Sequence, residues 1–141
     1  MGSRFVRLAD WEPRLQTFIA ARRTVPFAWG SNDCCLFAAD AVLSMTGCDP
    51  AAAHRGSYAD DAGAFGVLRA LQGLRTAVTN SLAICQARPL QAGVGDVVLY
   101  SGLKGRGLGV AMGAFFLAPG RHGLVTFKLS HALTCWKLPY E

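Results

Sequence analysis

Two adjacent cysteines, Cys34 and Cys35, follow Ser31-Asn32-Asp33, and this stretch holds the chain's clearest opening for chemistry. Ser, Asn and Asp cap helices by accepting backbone N–H bonds. The aromatic segment Phe27-Ala28-Trp29 is broken by Gly30, and residues 34–46 then run apolar on nearly every side to a stop at Gly47. A helix with so little polar surface is buried in its domain. A thiol in the first turn faces unpaired N–H groups and the positive end of the helix dipole, and both favour thiolate. Cys34, on the cap side, is a candidate nucleophile and equally a candidate core thiol. Cys35, beside Leu36, reads as a core thiol. Trp29 and Asp33 would line the site, with Trp29 acting as a packing ring more than as a substrate platform.

The elements that must position these residues follow from apolar spacing. Residues 10–23 predict a first helix, with Asp10 as cap, Pro13 tolerated in the first turn, and Trp11, Leu15, Phe18, Ile19 and Arg22 on one face. Cys48-Asp49-Pro50 predicts a short helix over residues 51–54. Residues 55–58 predict a turn. Asp60-Asp61 would cap a third helix, on which Phe65, Leu68 and Leu71 share a face up to Gly73. A weaker helical stretch follows over residues 77–85, and His54 is expected to be an exposed polar residue of the connector. After Pro89 the character changes. Gly93-Val94-Gly95-Asp96 predicts a turn, and strands are expected at 97–100, 108–112, 114–118, 124–129 and 132–138. Residues 101–107 form a glycine- and lysine/arginine-rich loop, and residues 119–123 a turn. Helices followed by an antiparallel meander give an α+β domain, with the buried cysteine-bearing helix packed on a C-terminal antiparallel sheet. Residues 1–141 fit a single domain with no repeat or linker.

Composition excludes several function classes. The net charge is +5, yet only Arg22 and Arg23 are adjacent basic residues, and no stripe interleaves bases with aromatics. Nucleic-acid binding is a poor reading. The five cysteines are an odd number, without Cys-x-x-Cys or Cys/His zinc spacing, so no metal and no cofactor is expected. Reduced thiols fit synthesis in a cytoplasm. The N-terminal Met1-Gly2-Ser3-Arg4-Phe5 has no apolar signal core, and no apolar run reaches the roughly 20 residues of a membrane helix, so membrane insertion is not expected.

Trp29-Gly30-x-x-Asp33-Cys34 followed by Gly95-Asp96-Val97-Val98 resembles the two anchor motifs of the NlpC/P60 family, papain-like cysteine peptidases of which many cut peptidoglycan stem peptides. Thr46-Gly47-x-Asp49-Pro50, Arg55-Gly56-x-Tyr58, Leu108-Gly109-Val110 and an aromatic strand around Trp136 extend the likeness along nearly the whole chain, toward a phage and prophage branch found in tail gene clusters. In the family the cysteine works with a histidine at the start of the strand after Gly-Asp. Here that position falls at Gly107, and no histidine occurs between His54 and His122. The third polar residue would fall within residues 115–118, which carry no polar side chain. An amide-cleaving thiol needs an imidazole to take its proton and return it to the leaving amine. His131 is the candidate substitute base, with His122 behind it.

The resemblance implies a structural component of a phage or phage-like tail tip, a degenerate domain docked on other tail-tip or hub proteins and located in the virion after synthesis in the bacterial cytoplasm. The alternative it implies is an active tail-associated peptidase that uses Cys34 on peptidoglycan. An acyl-transfer enzyme of the same fold is expected to need the same Cys–His pair.

Overall fold

The computed structural model describes residues 3–102 and 105–141. Met1 and Gly2 of the N-terminal segment, and Leu103 and Lys104 of the expected basic loop, lie outside the described residues. Helices come first, α1 (Trp11–Arg22), α2 (Cys34–Thr46), α3 (Asp61–Ala70) and α4 (Leu74–Leu82). They are followed by β1 (Gln86–Ala87), β2 (Val97–Gly102), β3 (Gly105–Ala111), β4 (Phe115–Gly120), β5 (Gly123–Lys128) and β6 (Ala132–Trp136). The strands form one antiparallel sheet in the order β1-β6-β2-β3-β4-β5. The α+β arrangement expected from the sequence is therefore present.

Strand periodicity sorts the core into two clusters, because alternate side chains leave opposite faces of a sheet. Val97, Leu99, Leu108, Val110 and Trp136 pack with Phe37, Val42 and Met45 of α2. Val98, Ala111, Phe116 and Cys135 form a second cluster, joined by Tyr100 and Phe127. Both faces being covered explains why β2 reads as an uninterrupted apolar run. Trp136 is fully buried, and its indole N–H donates to the Thr79 hydroxyl at 3.0 Å, fastening the last strand to α4.

One buried ion pair ties the chain's two ends to the turn before β2. Arg7 donates to Asp96 at 2.7 Å with both side chains almost wholly buried. The same carboxylate accepts from the backbone N–H groups of Gly93 (2.8 Å) and Leu138 (2.9 Å) and from Lys137 (3.0 Å). A buried carboxylate is tolerable only when its oxygens are saturated in this way. Gly95 is required beside it, with φ +91, because a Cβ would stand 2.8 Å from the Arg7 guanidinium and from the Met45 sulfur.

Several boundaries differ from expectation. Asp10 occupies the N-cap position of α1 but caps nothing; its carboxylate turns outward to Arg14, one helical turn on, at 2.7 Å. Residues 51–54 form successive turns, not a helix. Arg55 draws this segment in by pairing with both Asp49 and Asp40. α4 starts at Leu74, three residues before the expected 77, and ends at Leu82. β3 begins at Gly105, inside the expected loop, and β4 runs on through Pro119 and Gly120. β6 ends at Trp136, two residues before the expected 138, and His131 lies in a 3-10 turn (Leu129–His131) ahead of it.

Candidate functional site

The loop before α2 is built so that Asp33 can end it. Asn32 is buried and donates its amide to the carbonyls of Val25 (3.3 Å) and Pro26 (3.0 Å). It also accepts from Arg22 at 2.9 Å, and Arg22 reaches on to Asp40 of α2 at 2.6 Å. Gly30 has φ +80, and a Cβ there would stand 2.6 Å from the Tyr58 carbonyl oxygen, so only glycine lets the two backbones pass. Asp33 is buried and fully engaged. It accepts from Leu36 N–H at 2.9 Å as the helix cap, from Gly30 N–H at 3.0 Å, and from the Tyr58 hydroxyl at 2.7 Å. Arg55-Gly56-x-Tyr58 thus has a concrete local role: Arg55 grips Asp40 and Asp49, and Tyr58 grips the cap of α2.

Cys34 is the first residue of α2 and is partly buried; its sulfur lies 4.0 Å from that of Cys35. All five cysteines are free thiols. β4 pairs with β3 only at Val110 and Ala111, which leaves the earlier edge of β3, at Leu108, open toward Cys34. The Cys35 thiol, the Leu108 N–H and the Cys35 N–H together pull the Cys34 thiol below its ordinary range, against burial and the negative charge of Asp33. Cys35 moves the other way. The contact with the Cys34 thiol and its own burial push its thiol up and disfavour a second thiolate beside Cys34.

Gly107, the position that the family pattern gives to histidine, is crowded by a neighbour. A side chain at Gly107 would have its Cβ 3.0 Å from Cζ and 3.1 Å from the hydroxyl of Tyr100. Tyr100 pairs directly with Gly107 across the β2–β3 ladder, and its ring lies over the glycine. Burial, reinforced by the nearby thiols, pushes its phenol up to about 12.

Cys34 opens on a partly open cavity of about 140 Å³ lined by α2, α3, α4 and the sheet. Its walls are mainly aliphatic. The polar side chains along it include Asp33, His54, Tyr58 and Arg106. Trp29 also lines it, half-buried, with its ring edge-on to Phe27 at 4.8 Å and to Phe65 at 6.0 Å.

Trp29, Asp33 and Cys34 are therefore brought together, whereas His131 and His122 are exposed and do not line this cavity. His54, expected to be exposed, is half-buried and does line it; the ion pairs of Arg55 fold the connector inward and carry His54 with it. No motif marks His54 in the sequence. The residues on β3 that line the cavity are Arg106 and Leu108, and neither can shuttle a proton near neutral pH.

A family model for a domain of unknown function, DUF6950, matches residues 6–138. The chain belongs to that family. No curated protein matches it. The matched span of this DUF6950 domain holds every element from α1 to β6, both partners of the Arg7–Asp96 pair, and the Cys34 cavity. Among the described residues, no three Cys, His, Asp or Glu side chains are grouped so as to hold a metal ion, and no helix is long and apolar enough to cross a membrane.

Proposed function

We propose that this DUF6950 chain is a degenerate NlpC/P60-like domain that serves as a structural component of a phage or phage-like tail tip, docked on neighbouring tail proteins. The observation that carries the catalytically silent half of this reading is that position 107 is a glycine crowded by the Tyr100 ring, while His122 and His131 do not line the Cys34 cavity. Among the described residues the hydrogen-bond partner of the Cys34 sulfur is the Cys35 thiol at 4.0 Å, and no imidazole is bonded to it. Without an imidazole to take the thiol proton near neutral pH and return it to the leaving amine, peptide cleavage is not sustained. The tail-tip half rests on the likeness of motifs along the chain.

One observation favours a second reading, an active tail-associated peptidase acting on peptidoglycan stem peptides. His54 lines the same cavity as Cys34, and a base that is distant without substrate can close on its nucleophile when substrate binds.

The test has two arms. Epitope-tagged chain, expressed in a host that makes the particles, should co-sediment with tails, and Cys34→Ala should do so to the same extent. Purified chain incubated with sacculi should release no new amino groups. Absence from the particles overturns the tail assignment. Amino-group release that is lost in both Cys34→Ala and His54→Ala replaces the silent reading with the peptidase.

A further inference from the structure

We infer that the cavity beside Cys34 is a binding site for a small monocarboxylate whose body is apolar and about six carbons long. The walls come from every layer of the fold: Val42 of α2, Leu68 of α3, Leu74 and Val78 of α4, and Val97 of β2. Asp33 and Tyr58 are bonded to each other, and no buried side-chain polar atom among the described residues lacks a partner, so the aliphatic part of the wall asks nothing polar of an occupant. Water against the aliphatic wall lacks the two to four polar contacts that hold it, and apolar cavities of comparable size, about 150 Å³, take up benzene. The 140 Å³ here sets the same scale for the ligand's body.

Arg106 supplies the head-group recognition. It is exposed yet lines the cavity, so it stands at the opening. Arg106 makes no ion pair among the described residues, and it is the arginine that lines the cavity. The carboxylate that shares the cavity, Asp33, is saturated by Leu36, Gly30 and Tyr58 and leaves the guanidinium without a partner. A planar guanidinium fork matches a carboxylate in two parallel bonds, and this geometry selects an acid over an alcohol of the same length. The site is independent of the tail assignment and of any chemistry at Cys34.

Hexanoate and hexanol are titrated into the full chain and followed by NMR, with the alkylation rate of Cys34 as a second readout. Hexanoate should bind saturably and slow alkylation as the cavity fills. Arg106→Gln should weaken hexanoate about tenfold and leave hexanol unchanged, as expected for loss of one charge-assisted contact. Ala77→Phe, projecting into the cavity, should abolish both; should that variant not fold, Arg106→Gln decides alone, because an exposed position leaves the core intact. No saturable hexanoate binding to folded parent overturns the inference, as does equal hexanoate affinity in Arg106→Gln. Because the measurement uses the isolated chain, either result leaves the tail-association arm to be judged separately.

Discussion

Replacing Asp33 should separate the stability of the central helix from the reactivity of its thiol. Its carboxylate caps α2 through Leu36, holds the Gly30 N–H and anchors the Tyr58 hydroxyl. Loss of a helix cap costs about 1 kcal/mol. Each further bond to a charged acceptor contributes about 1.5–3 kcal/mol when buried, and Tyr58, half-buried, regains part of its loss from water. Asp33→Ala should therefore cost roughly 3–5 kcal/mol, which lowers the melting temperature by roughly 10 °C or more in a chain of this size. Asp33→Asn keeps a cap acceptor and should cost about half as much. The same carboxylate opposes ionisation of Cys34, so Asp33→Asn should move the pH midpoint of Cys34 alkylation downward while the fold loosens. Urea unfolding and a pH series of iodoacetamide labelling, with peptide mapping to separate Cys34 from Cys35, read the two effects. Asp33→Ala unfolding within 1 kcal/mol of parent, or an alkylation midpoint that rises in folded Asp33→Asn, would refute the reasoning.

Two further outcomes follow from groups away from the helix cap. Tyr100 has a folded value of about 12 against an ordinary 10.0, so its neutral form contributes stability that is complete below pH 10 and is lost as pH rises toward 12. Tyr58 is raised in the same sense. Tyr100→Phe keeps the ring against Phe116 and Phe127 and should flatten the alkaline loss seen in denaturation curves from pH 9 to 12; an unchanged slope would contradict it. Asp96→Ala should destabilise by about 3–5 kcal/mol, since it leaves the Arg7 guanidinium buried without its counter-charge, and urea midpoints measure this directly.

The central helix was legible because its signals are local. Asp33 as cap, an apolar interior and Gly47 as stop, with φ +77, are all written within one stretch of sequence. The sheet was legible in outline for the same reason, each strand being a short apolar run between turn residues. What stayed hidden depends on partners distant in sequence. β1 is two residues long and exists because Gln86 and Ala87 pair with Trp136 and Cys135. α4 begins after Gly73, which reads as a stop for α3 and offers no side-chain cap of its own. Asp96 reads as a turn residue and turns out to be a buried anion, since its partners Arg7 and Leu138 lie far away along the chain. Cys34 could be picked out from its place on a helix, but the cavity beside it could not. That space arises where α3 and α4 meet α2 and the sheet, and His54 and Arg106 reach it from a connector and a strand start that carry no marking pattern.

The Asp96 knot also bears on how the chain emerges from a ribosome. Leu138, which donates to Asp96, follows it by 42 residues, an interval synthesised in roughly 2–8 s at about 5–20 residues per second. Throughout that interval Arg7 and Asp96 can stay hydrated, and β2 lacks its neighbour β6, which brings Trp136 to α4. A nascent chain paused before Trp136 therefore holds its helices beside an unfinished sheet with one strand edge bare, a state open to proteases and to pairing with other chains. Pairing of residues 132–138 closes that edge, buries the indole and adds the Leu138 N–H to Asp96 together, so the passage from vulnerable to protected should be abrupt.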